Sequence, residues 1–209
     1  MNILIIGCSR GIGLELVKQT LAAGHLVTAL VRNPDKFHLL HENLCTVLGD
    51  IRDPIQVNEA VKGQDAVCLT IGVPITFKPV TLFSDGTRIV LEAMKNHGVP
   101  RLICVTGIGA GDSKGHGGFL YDVIFKPLLL RTIYEDKDKQ EEQVKKSNLE
   151  WVIVRPAGLT NGPKTGSYMT FTHLEGITSK RISRRDVAHF IVAELAEKRF
   201  SRQAVLLTY

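Results

Sequence analysis

The chain has 209 residues, of which 44% are hydrophobic and 22% are charged, and this composition excludes a disordered or fibrous protein. The formal net charge of +5 favours an anionic partner, and a phosphate-rich cofactor fits that charge as well as a nucleic acid does. No apolar run reaches the ~20 residues of a transmembrane helix and no signal-peptide pattern precedes the first predicted strand, so the sequence predicts a cytoplasmic protein without a membrane partner.

Residues 2–13, NILIIGCSRGIG, are typical of the start of a dinucleotide-binding fold. Four consecutive apolar residues indicate a strand that is buried on both faces, and apolar residues at helical spacing follow from Leu14. Between them lies a glycine turn, where backbone N–H groups at the start of a helix can hold a pyrophosphate. The predicted cofactor-binding residues of this turn are Gly7, Ser9, Arg10, Gly11, Ile12 and Gly13.

Predicted strands and helices alternate along the rest of the chain. Further strands are predicted at residues 25–32, 44–48, 66–71, 102–106, 151–154 and 204–207. Helices are predicted up to about residue 40, after Asp53-Pro54, over 79–97 with Gly98 as the end, and up to residue 148. The pattern Ser183-x-x-Asp186 is a capping box that predicts a last helix to about residue 198. The basic residues near the end of the sequence are interpreted as a solvated helix face, with a nucleic-acid site as the less favoured alternative; they are Lys180, Arg181, Arg184, Arg185, Lys198, Arg199 and Arg202.

This alternation predicts an α/β fold in which right-handed crossovers join parallel strands. The predicted architecture is a single-domain Rossmann-type doubly wound parallel sheet with helices on both faces and a ligand cleft at the carboxyl ends of the strands. Because no repeat or linker interrupts the pattern, residues 1–209 are predicted to form one NAD(P)-binding domain. Its substrate-side elements are predicted at about 107–130, which opens with a glycine-rich loop, and at 156–182.

Two arginines favour NADP(H) over NAD(H). After the second strand of such a fold, an acidic residue binds the ribose 2′-hydroxyl, whereas a basic residue accommodates a 2′-phosphate. Here Arg32 follows the second predicted strand, and Arg10 lies in the glycine turn. We predict a preference for NADPH over NADH, the alternative being that both arginines are simply solvated.

Two further strand ends are predicted to contact the cofactor. Asp50 and Ile51 follow the third predicted strand and are placed to meet the adenine ring. Thr70, Ile71 and Gly72 end the fourth and are placed to pass beneath the adenosine ribose. In both cases the alternative is that the segment only ends a strand.

No metal site is predicted. The four cysteines lack metal or redox spacing, and the His38-x-x-His41 pair lacks further ligands. Cys45, Cys68 and Cys104 fall in predicted strands, where a free cysteine behaves as a small hydrophobic residue.

The glycine segment GCSRGIG resembles the short-chain dehydrogenase/reductase superfamily. The remaining motifs, VTALVRNPDK, GDIRDP, AVKGQDAV, AMKNHGV, LICVTG and SNLEWVIVRPAGLTNGPKTG, are similar to its short atypical branch, which includes NmrA-like proteins and the biliverdin-IXβ/flavin reductases. This resemblance spans essentially the whole chain. It implies bound NADP(H), contacted also by Arg155 and Pro156 at the exit of the sixth strand, and suggests flavins and linear tetrapyrroles as substrates. The chain departs from that branch at Arg10, where many members have glycine, and at Gly107, where the flavin/biliverdin reductases have serine.

Typical members of the superfamily use a tyrosine and a lysine four residues on, because the lysine lowers the pKa of the tyrosine. None of the four tyrosines in this chain has a lysine at that spacing. Tyr134 and Lys137 are three residues apart on a predicted helix, so they share a face and are candidates for a proton donor and a contact to the nicotinamide ribose. The alternative is an exposed polar helix face. Thr106, at the end of the fifth strand, is a candidate hydrogen-bond partner for substrate or nicotinamide, and His116 is a weaker candidate proton donor.

The missing tyrosine–lysine pair favours a conjugated acceptor. A flavin-, biliverdin- or quinone-like ring delocalises the incoming electrons and needs a dedicated acid less than a ketone does. The leading hypothesis is therefore an NADPH-dependent reductase of such a small molecule, with residues 165–168 lining part of its pocket. The alternative is a non-catalytic NADP(H)-binding redox sensor of the NmrA-like kind, and an epimerase-like enzyme or assembly factor comes third.

Overall fold

Strands and helices alternate along the computed structural model, which describes residues 1–116 and 128–209. The strands are β1 (Asn2–Ile6), β2 (Leu26–Val31), β3 (Leu44–Leu48), β4 (Ala66–Leu69), β5 (Arg101–Val105), β6 (Glu150–Pro156), β7 (Gly158–Thr160), β8 (Met169–Phe171), β9 (Arg181–Ser183) and β10 (Gln203–Thr208). The helices are α1 (Gly11–Ala22), α2 (Pro54–Val61), α3 (Leu82–His97), α4 (Arg131–Lys146) and α5 (Arg184–Glu197), and short 3-10 turns lie at Pro34–Lys36 and Gly111–Ser113.

Eight strands form one sheet in the order β3-β2-β1-β4-β5-β6-β10-β8. Neighbours among the first seven pair in parallel, and β8 at the edge pairs antiparallel with β10. β7 and β9 form a separate parallel pair. The strand order changes direction between β1 and β4, which is where ligands bind in sheets of this kind. The Rossmann-type fold predicted from the sequence is therefore confirmed.

Helices cover both faces of the sheet because β1 buries side chains in both directions. Ile3 and Ile5 belong to a core that includes residues of α1 and α5, whereas Leu4 and Ile6 belong to a core with α2, α3 and α4. None of these four side chains is more than 3% exposed. Since burying an aliphatic side chain stabilises a fold by roughly 1.5–3 kcal/mol, the apolar run fixes β1 at the centre of the sheet.

The predicted capping residues set the helix boundaries. A side-chain oxygen of Asp53 accepts hydrogen bonds from the first-turn amides of α2, and Ser183 does the same for the amide of Asp186 in α5. Gly98 ends α3 in the left-handed conformation, with φ of 65°. These three signals act locally, and each was readable from neighbouring residues.

Two helices differ from the prediction. The helix expected up to about residue 40 is a single 3-10 turn, Pro34–Lys36, because four of the five residues 38–42 are exposed and offer no apolar face to bury. α3 begins at Leu82 rather than at residue 79. At this start of the helix, Asp136 of α4 accepts a hydrogen bond from the Phe83 amide. The predicted helical sequence over 117–127, with Pro127, lies outside the described residues.

The three-residue strands β7, β8 and β9 were not predicted, because segments this short show no periodicity. The prediction for Cys45 was wrong: its side chain is exposed, since β3 is an edge strand, whereas Cys68 and Cys104 are fully buried. Within residues 1–116 and 128–209, no helix is both long and apolar enough to cross a membrane.

Candidate functional site

The glycine turn after β1 packs so closely against the end of β4 that side chains would not fit. Gly7 has a φ of +91°, and a Cβ there would lie 2.6 Å from the carbonyl carbon of Thr70. A Cβ on Gly13 would lie 2.5 Å from the Thr70 Oγ1 and would strike the Gly7 carbonyl oxygen. Both positions therefore require glycine, and the turn presents main chain rather than side chains at the carboxyl end of the sheet.

The amino terminus of α1 has no side-chain cap. Arg10 is the N-cap residue and makes no capping hydrogen bond, and the first turn contains no acidic residue. By contrast, Asp53, Asp136 and Ser183 accept hydrogen bonds from the first-turn amides of α2, α3 and α5. The N–H groups and positive dipole end of α1 are therefore suited to a phosphate, and this main-chain cradle fits the pyrophosphate of a dinucleotide.

Two exposed arginines flank this cradle. Arg10 lies at the start of α1, and Arg32 follows β2, the strand that pairs with β1. Within the described ranges, neither guanidinium forms an ion pair. Both are therefore available to an anionic ligand, as the sequence prediction requires.

Arg184 is a third arginine at the cradle, and the sequence prediction missed it. The glycine turn and the start of α5 border a cleft of about 240 Å³, where a Cβ on Gly11 would lie 3.8 Å from the Arg184 Nε. The Arg184 guanidinium donates to the Asn161 Oδ1 at 2.8 Å. The capping box was the available signal, because it makes residue 184 the first of α5, but nothing local shows that α5 begins beside α1.

Asp50 and Ile51, which follow β3 after Gly49, differ in environment. Ile51 is only 7% exposed, and a Cβ on Gly86 of α3 would lie 2.7 Å from its Cδ1. Its side chain therefore belongs to the core, which leaves its main chain for the predicted adenine contact. Asp50 is half-buried and accepts a hydrogen bond from the Arg52 amide at 2.9 Å.

The end of β4 is joined to β1. The Thr70 hydroxyl donates to the Ile6 carbonyl oxygen at 3.0 Å, and Ile71 is half-buried beside the core. Gly72 is exposed, and a Cβ there would meet no atom within 4 Å. The glycine turn before α1 and the end of β4 therefore lie next to each other at the carboxyl edge of the sheet.

Lys137 and Tyr134 of α4 meet at the carboxyl end of β5. The Lys137 Nζ donates to the Thr106 carbonyl oxygen and lies 5.1 Å from the centroid of the Phe83 ring and 5.8 Å from that of Tyr134. A Cβ built on Gly107 would lie 2.9 Å from the Tyr134 hydroxyl oxygen and 3.9 Å from the Lys137 Nζ. The two side chains that were predicted to share a helix face thus converge beside Gly107.

The ammonium of Lys137 has a perturbed pKa. Burial lowers this pKa from 10.5 to about 8, although the neighbouring Cys104 and Glu141 act in the opposite direction. A lysine with such a pKa changes charge close to physiological pH. Groups of this kind cluster at functional sites.

The hydroxyl of Thr106 does not face the cleft as predicted. Thr106 is 5% exposed, and its Oγ1 donates to the Glu141 Oε1 at 2.7 Å. The cause is the orientation of the strand end, which turns this side chain towards α4. The predicted contact to substrate or nicotinamide is corrected accordingly, and it is the Thr106 carbonyl that holds Lys137.

The guanidinium of Arg155 is also directed into the protein. Arg155 is 2% exposed, and its Nε donates to the Glu141 Oε1 at 3.0 Å. The Pro156 carbonyl accepts a hydrogen bond from the Ile108 amide at 3.1 Å. The Arg155 guanidinium therefore forms an internal ion pair with Glu141, and the cofactor contact that the resemblance implied for the exit of β6 stays a prediction.

The two predicted substrate-side segments touch each other. The His116 Nδ1 lies 3.2 Å from the Ile177 carbonyl oxygen, and the Ser179 amide donates to the His116 carbonyl oxygen at 3.2 Å. Within 165–168, the Thr165 hydroxyl donates to Asp186 of α5 at 2.8 Å. The remainder of the first segment, 117–127, lies outside the described residues.

Among the residues that the structure describes, no three His, Cys, Asp or Glu side chains are grouped so that they could hold a metal ion.

A main-chain phosphate cradle at the point where a doubly wound sheet changes direction defines the class of dinucleotide-binding proteins. Within this class the chain belongs to the NAD(P)H-binding family, whose model matches residues 7–198. The NAD(P)-binding domain predicted from the sequence is thereby confirmed.

Individual relatives agree with this assignment. YhfK of Bacillus subtilis strain 168, described as an uncharacterized sugar epimerase, is 30% identical over 214 residues, covering 100% of this chain and 94% of YhfK. ChuY, an anaerobillin reductase from Escherichia coli O157:H7, has a TM-score of 0.84 at 23% identity and covers 100% of this chain and 97% of ChuY. A short-chain dehydrogenase/reductase of Veillonella parvula DSM 2008 in complex with NADP has a TM-score of 0.81 at 19% identity, over 100% of this chain and 94% of its own. The likeness to these structures shows the shared fold.

Proposed function

We propose that the protein is an NADPH-dependent reductase that transfers hydride to a small molecule with a conjugated ring system. The observation that carries the proposal is the convergence of the Tyr134 hydroxyl and the Lys137 ammonium beside Gly107. Only β4 separates β5 from β1 in the sheet, so this pair and the glycine cradle open on the same edge. The site then has a phosphate cradle at the start of α1 and the pair Tyr134 and Lys137 at its other end. This arrangement matches a cofactor that is anchored by its phosphates and reacts at its nicotinamide.

The chain offers a separate group for each charged part of the cofactor. The uncapped amides of α1 would hold the pyrophosphate, with Arg184 beside them, and Arg10 and Arg32 would hold the 2′-phosphate. Lys137 would hold the nicotinamide ribose. When bound, NADPH supplies the hydride. The contribution of the protein is to bind the cofactor, to orient it and to exclude water at the nicotinamide.

The segment that follows β4 supports a flat, apolar acceptor. Ile75 and Phe77 follow β4 and are 62% and 75% exposed. Between them, the Thr76 carbonyl oxygen accepts a hydrogen bond from the Thr132 hydroxyl in the first turn of α4, which ties this segment to the helix of Tyr134. Exposed large apolar side chains are typical of surfaces that bind another molecule. A conjugated ring also agrees with the missing tyrosine–lysine spacing, and ChuY shows that this fold hosts a reductase.

The proposed activity is tested by mixing the protein with NADPH and a panel of acceptors. FMN, riboflavin, biliverdin and a quinone are compared with a simple ketone, while the absorbance of the reduced nicotinamide is followed. We expect NADPH oxidation with at least one conjugated acceptor and none with the ketone. Tight NADPH binding without oxidation by any acceptor would instead support a redox sensor.

Replacing Arg32 with glutamine is expected to weaken NADPH binding about tenfold or more and to leave NADH binding unchanged. The reason is that a hydrogen bond to a charged group contributes about 1.5–3 kcal/mol, and NADH has no 2′-phosphate to accept it. Calorimetric dissociation constants for both nucleotides measure the effect. Arg88→Gln is the matched control, because it removes the same charge from an exposed position on α3. Equal losses for NADH and NADPH would contradict the assignment of Arg32.

A further inference from the structure

A buried carboxylate lies beneath the proposed nicotinamide end of the site. Glu141 of α4 is 1% exposed and accepts three hydrogen bonds, from the Thr106 Oγ1 at 2.7 Å and from the Arg155 Nε at 3.0 Å and Nη2 at 2.5 Å. Thr106 follows β5 and Arg155 lies on β6, so one side chain joins three neighbouring elements. Burying an ion pair costs desolvation free energy, and an apolar pair of the same volume would pack at least as well. Packing alone therefore gives no reason for this arrangement.

The same carboxylate also supports the loop that follows β5. A Cβ on Gly111, whose φ is +56°, would lie 2.8 Å from the Arg155 Nη2 and would also strike the Glu141 carboxylate. Arg155 forms a second ion pair with Asp112, and Lys145 of α4 reaches Asp112 at 3.1 Å. The start of the substrate-side loop is thus held on the Glu141–Arg155 pair.

We propose that Glu141 is a positioning residue, which fixes the Thr106 peptide through its hydroxyl so that the Thr106 carbonyl directs the Lys137 ammonium to the cofactor. This inference rests on the proposed function, because it assigns Lys137 to the nicotinamide end of NADPH. It extends that function by making the geometry and charge of Lys137 depend on a residue that is itself only 1% exposed.

The charges around Lys137 give the proposal a measurable consequence. On its own helix it is faced by Glu141 one turn on and by the Tyr134 ring one turn back; β5 contributes the Cys104 thiol, and α3 the uncharged Phe83 ring. Burial raises the pKa of the Cys104 thiol to about 12, so it stays neutral at physiological pH. Glu141 and Cys104 both act to raise the pKa of Lys137, so the loss of the Glu141 carboxylate should favour the neutral form of Lys137.

The test is Glu141→Gln, which keeps the shape of the side chain and removes its charge. The pKa of Lys137 is measured on the free protein by carbon-13 NMR of its Cε, and the NADPH dissociation constant is measured over a pH series. We expect a pKa for Lys137 below the wild-type value, a matching shift to lower pH in the loss of NADPH affinity, and about tenfold weaker binding at neutral pH. Glu142→Gln is the matched control, because Glu142 is exposed on the same helix and pairs with Lys146.

A double variant separates positioning from folding. Glu141→Leu with Arg155→Met removes both charges, so no unpaired buried ion is left to unfold the protein. We expect the double variant to fold and to share the lowered Lys137 pKa and the weaker NADPH binding of Glu141→Gln. Wild-type values of both quantities in either variant would overturn the proposal. The NMR titration needs no cofactor, so failure of the wild-type protein to bind NADPH would reject the proposed function while the control of Lys137 by Glu141 is still decided.

Discussion

Replacing Lys137 with methionine is expected to reduce the turnover of NADPH by about 100-fold or more while the protein stays folded. Methionine retains an apolar stem of similar length, so it can lie against the Phe83 ring as the lysine does, but it cannot donate to the Thr106 carbonyl or to a ribose hydroxyl. A misplacement of about 1 Å at the reacting atoms is enough for a loss of this size. Steady-state kinetics with the best acceptor of the panel give kcat and KM for the comparison.

The pH dependence provides a second readout for the same variant. Lys137 is protonated below its pKa of about 8 and loses its charge above it, so NADPH affinity in the wild-type protein should fall as the pH rises through about 8. This fall in NADPH affinity with rising pH should be absent from Lys137→Met. Lys139→Met, a substitution at an exposed position on the same helix, should retain both the wild-type kcat and the fall in affinity. A Lys137→Met protein with undiminished kcat and an unchanged pH profile would remove Lys137 from the site.

The elements of this fold that could be predicted are those whose cause is local. The four buried residues of β1, the glycine turn and the Ser183 cap each depend on residues that are close in the chain. The alternation of strands and helices then leaves few topologies for a parallel sheet. For the same reason Arg32 could be assigned to the cofactor side, because the position after the second strand has a fixed place in such a sheet.

The parts of the site that could not be predicted depend on which side chains meet across the fold. Thr106 follows the correct strand, but the direction of its hydroxyl is decided by Glu141, which lies 35 residues away in the chain. The Arg155 guanidinium is directed to the same buried carboxylate, which the residues around Arg155 in the sequence do not show. Arg184 was interpreted as part of a solvated face, because the sequence does not show that α5 packs beside α1. Tertiary contacts of this kind decide whether a polar residue faces a cleft or the interior.

A second buried ion pair lies at the opposite end of β5, and breaking it should have the largest effect on stability. The Arg101 Nη2 lies 2.5 Å from the Glu194 Oε1, and both side chains are 1% exposed. The Glu194 carboxylate also accepts hydrogen bonds from the amides of Arg199 at 3.1 Å and Phe200 at 3.0 Å, just beyond α5. One carboxylate therefore joins the start of β5 to the end of α5.

Glu194→Ala is expected to lower the free energy of unfolding by about 3–5 kcal/mol, because it leaves the Arg101 guanidinium buried without its anion. Urea denaturation measures this as a lower midpoint at an unchanged m-value. Glu197→Ala removes a carboxylate from the same helix but from an exposed pair with Arg199, and should cost less than about 1 kcal/mol. If the unpaired charge is the cause, Arg101→Met combined with Glu194→Leu should recover most of the lost stability, since neither charge then stays buried. A double variant as unstable as Glu194→Ala would show instead that the hydrogen bonds to the end of α5 hold this part of the fold together.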